Sequence, residues 1–227
     1  MSPIKGVIFD FDGLILDTEI PSFRAWREVF SRYGGTLTRE AWADHVGRAP
    51  ETFDPCDLLE ELAGRSVDHE GLRREELDLE MAMILEQPIL PGVVAALDDA
   101  ARLGLRLGIA SSSSREWVLG HLTRLGLHER FACLRCSDDV TRTKPAADLY
   151  VAALEALRLR PEEAVALEDS PHGVSAAQAA GIFCVAIPND LTRAFPLDHA
   201  DLRLVSLEEM PLEALLARVE AAVAHRV

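Results

Sequence analysis

Lysine is nearly absent from this chain. Of 227 residues only Lys5 and Lys144 are lysines, and arginine supplies the remaining 21 of the 23 basic side chains. Acidic residues number 38, which leaves a net charge of −15. Nucleic-acid binding needs a basic footprint, and none is visible. The same field repels a phosphorylated ligand at long range. Any phosphate site must therefore be built locally, from a metal ion, backbone N–H groups and a few cations. Cysteine is scarce too: Cys56, Cys133, Cys136 and Cys184 are too few and too scattered for a disulfide framework. Cys133 and Cys136 have half the spacing of a zinc motif, but no second Cys or His pair completes it. They read as small packed side chains at a strand end after Phe131. No stretch approaches the ~20 continuous apolar residues of a membrane helix. Met-Ser-Pro-Ile-Lys-Gly runs directly into a strand rather than into the apolar centre of a secretory signal, so a cytoplasmic location is expected.

What is present is an ordinary globular composition, 48% hydrophobic and 27% charged, long enough for one good core and a small second module. Residues 17–87 show helical periodicity and no convincing strand. Phe23, Trp26, Phe30 and Tyr33 form one apolar stripe ended by Gly34-Gly35. Thr38 reads as the N-cap of a second helix, a third lies around Pro55 to Leu62, and Leu77, Met81, Ile84 and Leu85 form the stripe of a fourth. This insert carries 17 acidic residues, eight arginines and no lysine, most simply a solvated acidic face. From Pro91-Gly92 helix and strand alternate. Strands are expected at Leu105–Ala110, Ala164–Leu167, Phe183–Ile187 and Leu202–Val205. Helices are expected at Val93–Leu103, from Ser114 to about Leu125, from Lys144-Pro145 through Leu157, up to Ala180, and at Pro211–Ala224. Such alternation implies an α/β fold with a doubly wound parallel sheet. The expected boundaries are residues 1–16 and 88–227 for the sheet core and 17–87 for the helical insert.

The most informative segment is Val7-Ile8-Phe9-Asp10-Phe11-Asp12-Gly13. An apolar strand delivers two aspartates two residues apart, and Gly13 lets the backbone turn sharply. Both can then enter one cleft beyond the carboxyl edge of the sheet, where open α/β folds place their chemistry. Two carboxylates this close repel unless a divalent cation or a shared proton holds them. Three later segments also place polar residues at strand ends or helix starts. Ser111, Ser112 and Ser113 supply hydroxyl and N–H donors suited to an anion, Lys144 precedes Pro145, and Glu168-Asp169 ends a strand. This set suits phosphoryl transfer. Asp10 would attack phosphorus, and Asp12 would protonate the leaving oxygen and then deprotonate water. Ser111, Ser112 and Lys144 would bind phosphate. Asp10, Asp169 and the backbone carbonyl of Asp12 would hold Mg²⁺, with Glu168 orienting its waters or the Lys144 ammonium.

Four matches in order, Asp10-Phe11-Asp12-Gly13 with Asp17-Thr18, Ile109-Ala110-Ser111, Lys144-Pro145 and Leu167-Glu168-Asp169-Ser170, resemble the haloacid dehalogenase superfamily. The branch they resemble is that of β-phosphoglucomutase-like phosphatases. The resemblance spans Ile4 to about Ile187. It implies a Rossmann-like core with an inserted four-helix cap, a Mg²⁺ cofactor and a small phosphorylated metabolite, a sugar phosphate or similar, as substrate. It also implies substrate contacts from Arg48 and from Arg73 or Arg74 in the cap. The mutases of this branch carry a histidine where Ser22 stands, and they use a cap lysine that is missing here. Phosphonate hydrolases also need a cap lysine, and dehalogenases lack the second aspartate. A phosphatase is the reading, with a hexose-phosphate mutase and a non-catalytic binding protein on the same scaffold as alternatives. A monomer is expected, since a cap can close a site without a second copy, with a dimer left open.

Overall fold

The computed structural model describes residues 4–39, 41–42 and 54–224. Six parallel strands form one sheet: β1 (Gly6–Phe9), β2 (Arg106–Ala110), β3 (Cys133–Arg135), β4 (Ala164–Glu168), β5 (Phe183–Ala186) and β6 (Leu202–Arg203), in the order β3-β2-β1-β4-β5-β6. The chain winds outward from β1 through β2 to β3, then returns to the other side of β1 with β4. The topological switch point therefore lies between β1 and β4, which is where ligands bind in open α/β sheets. Val7, Ile8 and Phe9 have no exposure at all, as expected of a strand covered on both faces. Register makes the carboxyl ends level: Phe9 pairs with Ile109 and with Leu167, and Asp10 donates its N–H to the Leu167 carbonyl at 2.9 Å.

Eight longer helices are described: α1 (Glu19–Arg32), α2 (Pro55–Ala63), α3 (His69–Leu85), α4 (Val93–Leu103), α5 (Arg115–Arg124), α6 (Asp148–Leu157), α7 (Pro171–Ala179) and α8 (Leu212–Ala224). Helix α4 buries Val93, Ala96, Leu97 and Ala100, one face at helical spacing, and stops at Gly104 in the left-handed region. Helix α6 begins later than the sequence suggests. Ala146 N–H closes a tight turn onto the Thr143 carbonyl at 3.0 Å, the Lys144-Pro145 peptide is cis, and the helix starts at Asp148. Cys133 opens β3 and Cys136 follows its last residue, and all four cysteines are free thiols. Among the described residues no helix is long and apolar enough to cross a membrane.

The chain divides into two compact units. One comprises Met1–Leu16, Pro88–Asn189 and Pro196–Val227, and the other comprises Asp17–Gln87 and Asp190–Phe195. The short segment Asp190–Phe195, assigned by the sequence to the sheet core, belongs with the helices, because Leu191 is buried in the same cluster as Phe23, Trp26, Phe30, Trp42 and Leu59. Within this helical unit Asp54 caps α2 by accepting from Cys56 N–H at 3.0 Å, and Asp68 caps α3 by accepting from Gly71 N–H at 3.1 Å. Thr38 Oγ1 accepts from Ala41 N–H at 3.2 Å, as an N-cap does.

One stripe differs from expectation. Leu77 and Leu85 are exposed, at 48% and 52%, and the buried row of α3 is Leu72, Glu76 and Ile84. A carboxyl group occupies that row, and a search for apolar periodicity skips it. Glu76 is 7% exposed, its Oε1 lacks a hydrogen-bond partner, and the Ser22 hydroxyl and the Glu80 carboxylate face it. Burial, with repulsion from Glu80 added, pushes its pKa up to about 8. The folded state thus binds a proton that the unfolded chain releases near 4.5. That contribution to stability is complete below the unfolded value and is lost as pH rises through about 8. Glu76→Gln keeps the shape and removes the titration. Thermal melts should show the variant near wild type at about pH 5 and above it, by roughly 2–8 °C, at about pH 9. A wild type and variant that lose melting temperature in parallel would contradict this.

Candidate active site

Beyond Phe9 the chain leaves β1 and turns at once. Ile15 N–H bonds to the Phe11 carbonyl at 2.9 Å and Gly13 N–H to the Leu16 carbonyl at 2.8 Å, while Phe11, Leu14, Ile15 and Leu16 are buried. The turn needs glycine twice over. Gly13 has φ +75°, and a Cβ there would collide with the Asp169 carboxylate and the Asn189 amide. The loop after β1 therefore lies directly against the residue that follows β4. Asn189, just after β5, fastens the two by donating to Asp169 Oδ2 at 2.8 Å and to the Gly13 carbonyl at 3.3 Å.

Lys144 lies between two acids. Its Nζ is 2.7 Å from Asp10 Oδ1 and 2.5 Å from Glu168 Oε1, with about 5% of the lysine side chain exposed and none of Glu168. The wholly buried Tyr150 donates its hydroxyl to Glu168 Oε1 at 2.6 Å. Helix α7 comes close because Gly173 has no side chain to strike the Glu168 carboxylate, and Ser170 caps the helix by accepting from Gly173 N–H at 3.1 Å. Burial raises the Asp10 carboxyl to about 7, the Glu168 charge adds to the rise, and Lys144 opposes it. Burial alone pulls the Lys144 pKa down. Asp10 and Glu168 more than reverse that and hold it above the ordinary lysine range.

One carboxylate oxygen from each of Asp10, Glu168 and Asp169 can be chosen so that all lie within 4.8 Å of one another, and all three residues are buried. Three carboxyl groups beside one ammonium, when all are ionised, leave an excess of two negative charges in a dry pocket, which a hard divalent cation with oxygen ligands would neutralise. The donor set fits such an ion.

Asp12 points into the serine loop after β2. Ser113 Oγ donates to Asp12 Oδ2 at 2.7 Å, Ser111 Oγ to the same oxygen at 3.3 Å, and Trp117 Nε1 to Oδ1 at 2.9 Å. Ser111 Oγ also accepts from Ser113 N–H at 3.0 Å, while Ser112 is exposed. The structure thus brings Asp10, Lys144, Glu168 and Asp169 into one cluster and couples Ser111 to Asp12. Ser22 sits in α1 beside Glu76. Arg48 lies outside the described residues. Arg73 is paired with Asp54, and Arg74 with Glu70 at 2.8 Å.

Sequence reasoning missed Tyr150, Trp117 and Asn189. Asn189 was within reach, as a polar residue just past a strand like the others. Tyr150 lies on the apolar face of α6 and Trp117 on a mixed face of α5, and no local pattern marks their polar ends. The buried cluster carries a stability prediction. Lys144→Met leaves the acids without their cation and should cost about 3–5 kcal/mol in denaturant unfolding without added metal. Adding Glu168→Gln in the same chain should recover part of that loss, and two purely additive losses would contradict the coupling.

Residues 7–187 match the model of the haloacid dehalogenase-like hydrolases. The chain is 42% identical over 216 residues to YhcW of Bacillus subtilis, covering 94% of this chain and 96% of that protein. It is 33% identical over 185 residues to the fructose-1-phosphate phosphatase YqaB of Escherichia coli, covering 80% and 95%. Among solved structures, CbbY of Rhodobacter sphaeroides, crystallised with xylulose-(1,5)-bisphosphate, superposes with a TM-score of 0.69 at 28% identity, over 91% of this chain and 96% of that one. Fold, ordered motifs and relatives agree: the chain belongs to the haloacid dehalogenase-like hydrolases, as a phosphoric monoester hydrolase.

Proposed function

We propose that this protein hydrolyses the phosphate ester of a small phosphorylated carbohydrate, with Asp10 as nucleophile and Mg²⁺ as the metal. The observation that carries the reading is the Lys144 ammonium lodged between Asp10 and Glu168, with Asp169 in the same buried carboxylate group. A phosphomonoester dianion resists an anionic nucleophile, and a buried, permanently charged lysine beside that nucleophile offsets the repulsion. Asp10, Asp169 and the backbone carbonyl of Asp12 would hold Mg²⁺, with Glu168 behind them. When bound, the ion neutralises phosphate charge and aligns the ester for in-line attack.

Asp10 Oδ forms the new P–O bond while the bond from phosphorus to the sugar oxygen breaks, and Asp12 gives its proton to that oxygen. Asp12 then takes a proton from water, whose oxygen attacks phosphorus and releases Asp10 and inorganic phosphate. Ser111, Ser112 and Lys144 would bind the phosphoryl oxygens. The sugar part of the substrate is supported by the relatives that act on or bind phosphorylated sugars.

Phosphate release from a panel of sugar phosphates, with Mg²⁺ and with EDTA, tests the reading. Release should require Mg²⁺ and should fall by more than roughly 10³-fold in Asp10→Asn. Release that survives in Asp10→Asn would overturn the nucleophile. Conversion of a hexose 1-phosphate to its 6-phosphate in place of release would make the protein a mutase.

A further inference from the structure

We infer that Trp117 is a positioning residue for Asp12, holding its carboxyl group where it protonates the leaving oxygen; this rests on the acid–base role proposed for Asp12. The indole Nε1–H of Trp117 donates to Asp12 Oδ1 at 2.9 Å, while Ser113 and Ser111 take Oδ2. Both oxygens of the side chain are thus held by donors on one loop and the helix that follows it. A carboxyl group on this turn would otherwise rotate about two torsions, and each ångström of misplacement costs rate in proton transfer.

The indole is itself fixed. It stands edge-on to His121 with ring centroids 4.6 Å apart, and His121 stacks on Phe11 with centroids 6.3 Å apart. Phe11 is fully buried and His121 nearly so, and Phe11 is the chain neighbour of Asp12. Helix α5 is thereby clamped to the loop after β1, through a row of three rings that ends at the hydrogen bond to Asp12. At the start of the same helix Ser114 Oγ accepts the backbone N–H of Trp117 at 3.3 Å, which sets the first turn and with it the direction of the indole. A tryptophan packed only for its area has no need to aim its N–H at an ionisable group. Here the polar end of a half-buried ring is spent on the acid two residues from Asp10.

Leaving groups of different basicity separate positioning from plain structural support. A general acid matters most when the departing oxygen is strongly basic, as in a sugar alkoxide, and little when it is a stable phenolate. In Trp117→Phe, kcat/KM for the best sugar phosphate of the panel should fall roughly 10²-fold, while kcat/KM for p-nitrophenyl phosphate should fall less than about threefold. Asp12→Asn should show the same selectivity, more strongly. Replacing Trp117 by benzothienylalanine, which exchanges the N–H for sulfur and keeps the bicyclic shape, should reproduce the Trp117→Phe pattern and covers the case of a poorly folded phenylalanine variant. Equal losses on both substrates, or no loss on either, with Asp12→Asn still selective, would overturn the assignment to Trp117. If Asp12→Asn loses both substrates equally, the acid role of Asp12 fails instead.

Discussion

Everything at the carboxyl edge of the sheet is arranged around one ammonium group in a nearly dry place. Lys144 touches Asp10 at 2.7 Å and Glu168 at 2.5 Å, and burial without those partners would favour its neutral form. Equally, the two acids could not be buried so close together without it. The cluster therefore holds as a unit or not at all. Its remaining negative charge, with Asp169 added, suits the divalent cation proposed for the site. A chain of net charge −15 must build any phosphate site locally, and in this lysine-poor sequence Lys144 is the cation placed there.

The sheet provides the precision that such a cluster demands. Parallel pairing with Phe9 opposite both Ile109 and Leu167 fixes how far β1, β2 and β4 extend. The residues that follow them emerge side by side at the switch point. Small residues then permit the close approaches. Gly13 allows the Asp12 loop to lie on Asp169, and Gly173 allows α7 to start against Glu168. Around this, Tyr150, Asn189 and Trp117 each spend one donor on one acid. Lys144 joins Asp10 to Glu168, while Asn189 holds Asp169 and Trp117 holds Asp12, so the acid–base role proposed for Asp12 has an anchor of its own.

Much of this is legible in the sequence, because the signals are local. Apolar strands followed at once by Asp10, Ser111 and Glu168-Asp169 mark the edge of the sheet. The glycines at 104, 126 and 181, all at positive φ, mark where helices stop. The illegible parts are those set by tertiary contact. Glu76 replaces an apolar residue in the buried row of α3, and Asp190–Phe195 joins the helices through Leu191. The turn that carries Lys144 delays α6 to Asp148. The donors of Tyr150 and Trp117 reach their acids across more than a dozen residues of chain, a distance that neither periodicity nor motif spacing measures.

The central claim is that Asp10 is the residue that becomes phosphorylated, in a pocket prepared by Lys144 and its acids. Beryllofluoride with Mg²⁺ mimics an aspartyl phosphate, and ¹⁹F NMR reads its binding without any substrate being known. The account predicts protein-bound fluorine resonances with the wild-type chain that are absent from Asp10→Asn. Bound resonances that persist in Asp10→Asn would contradict it.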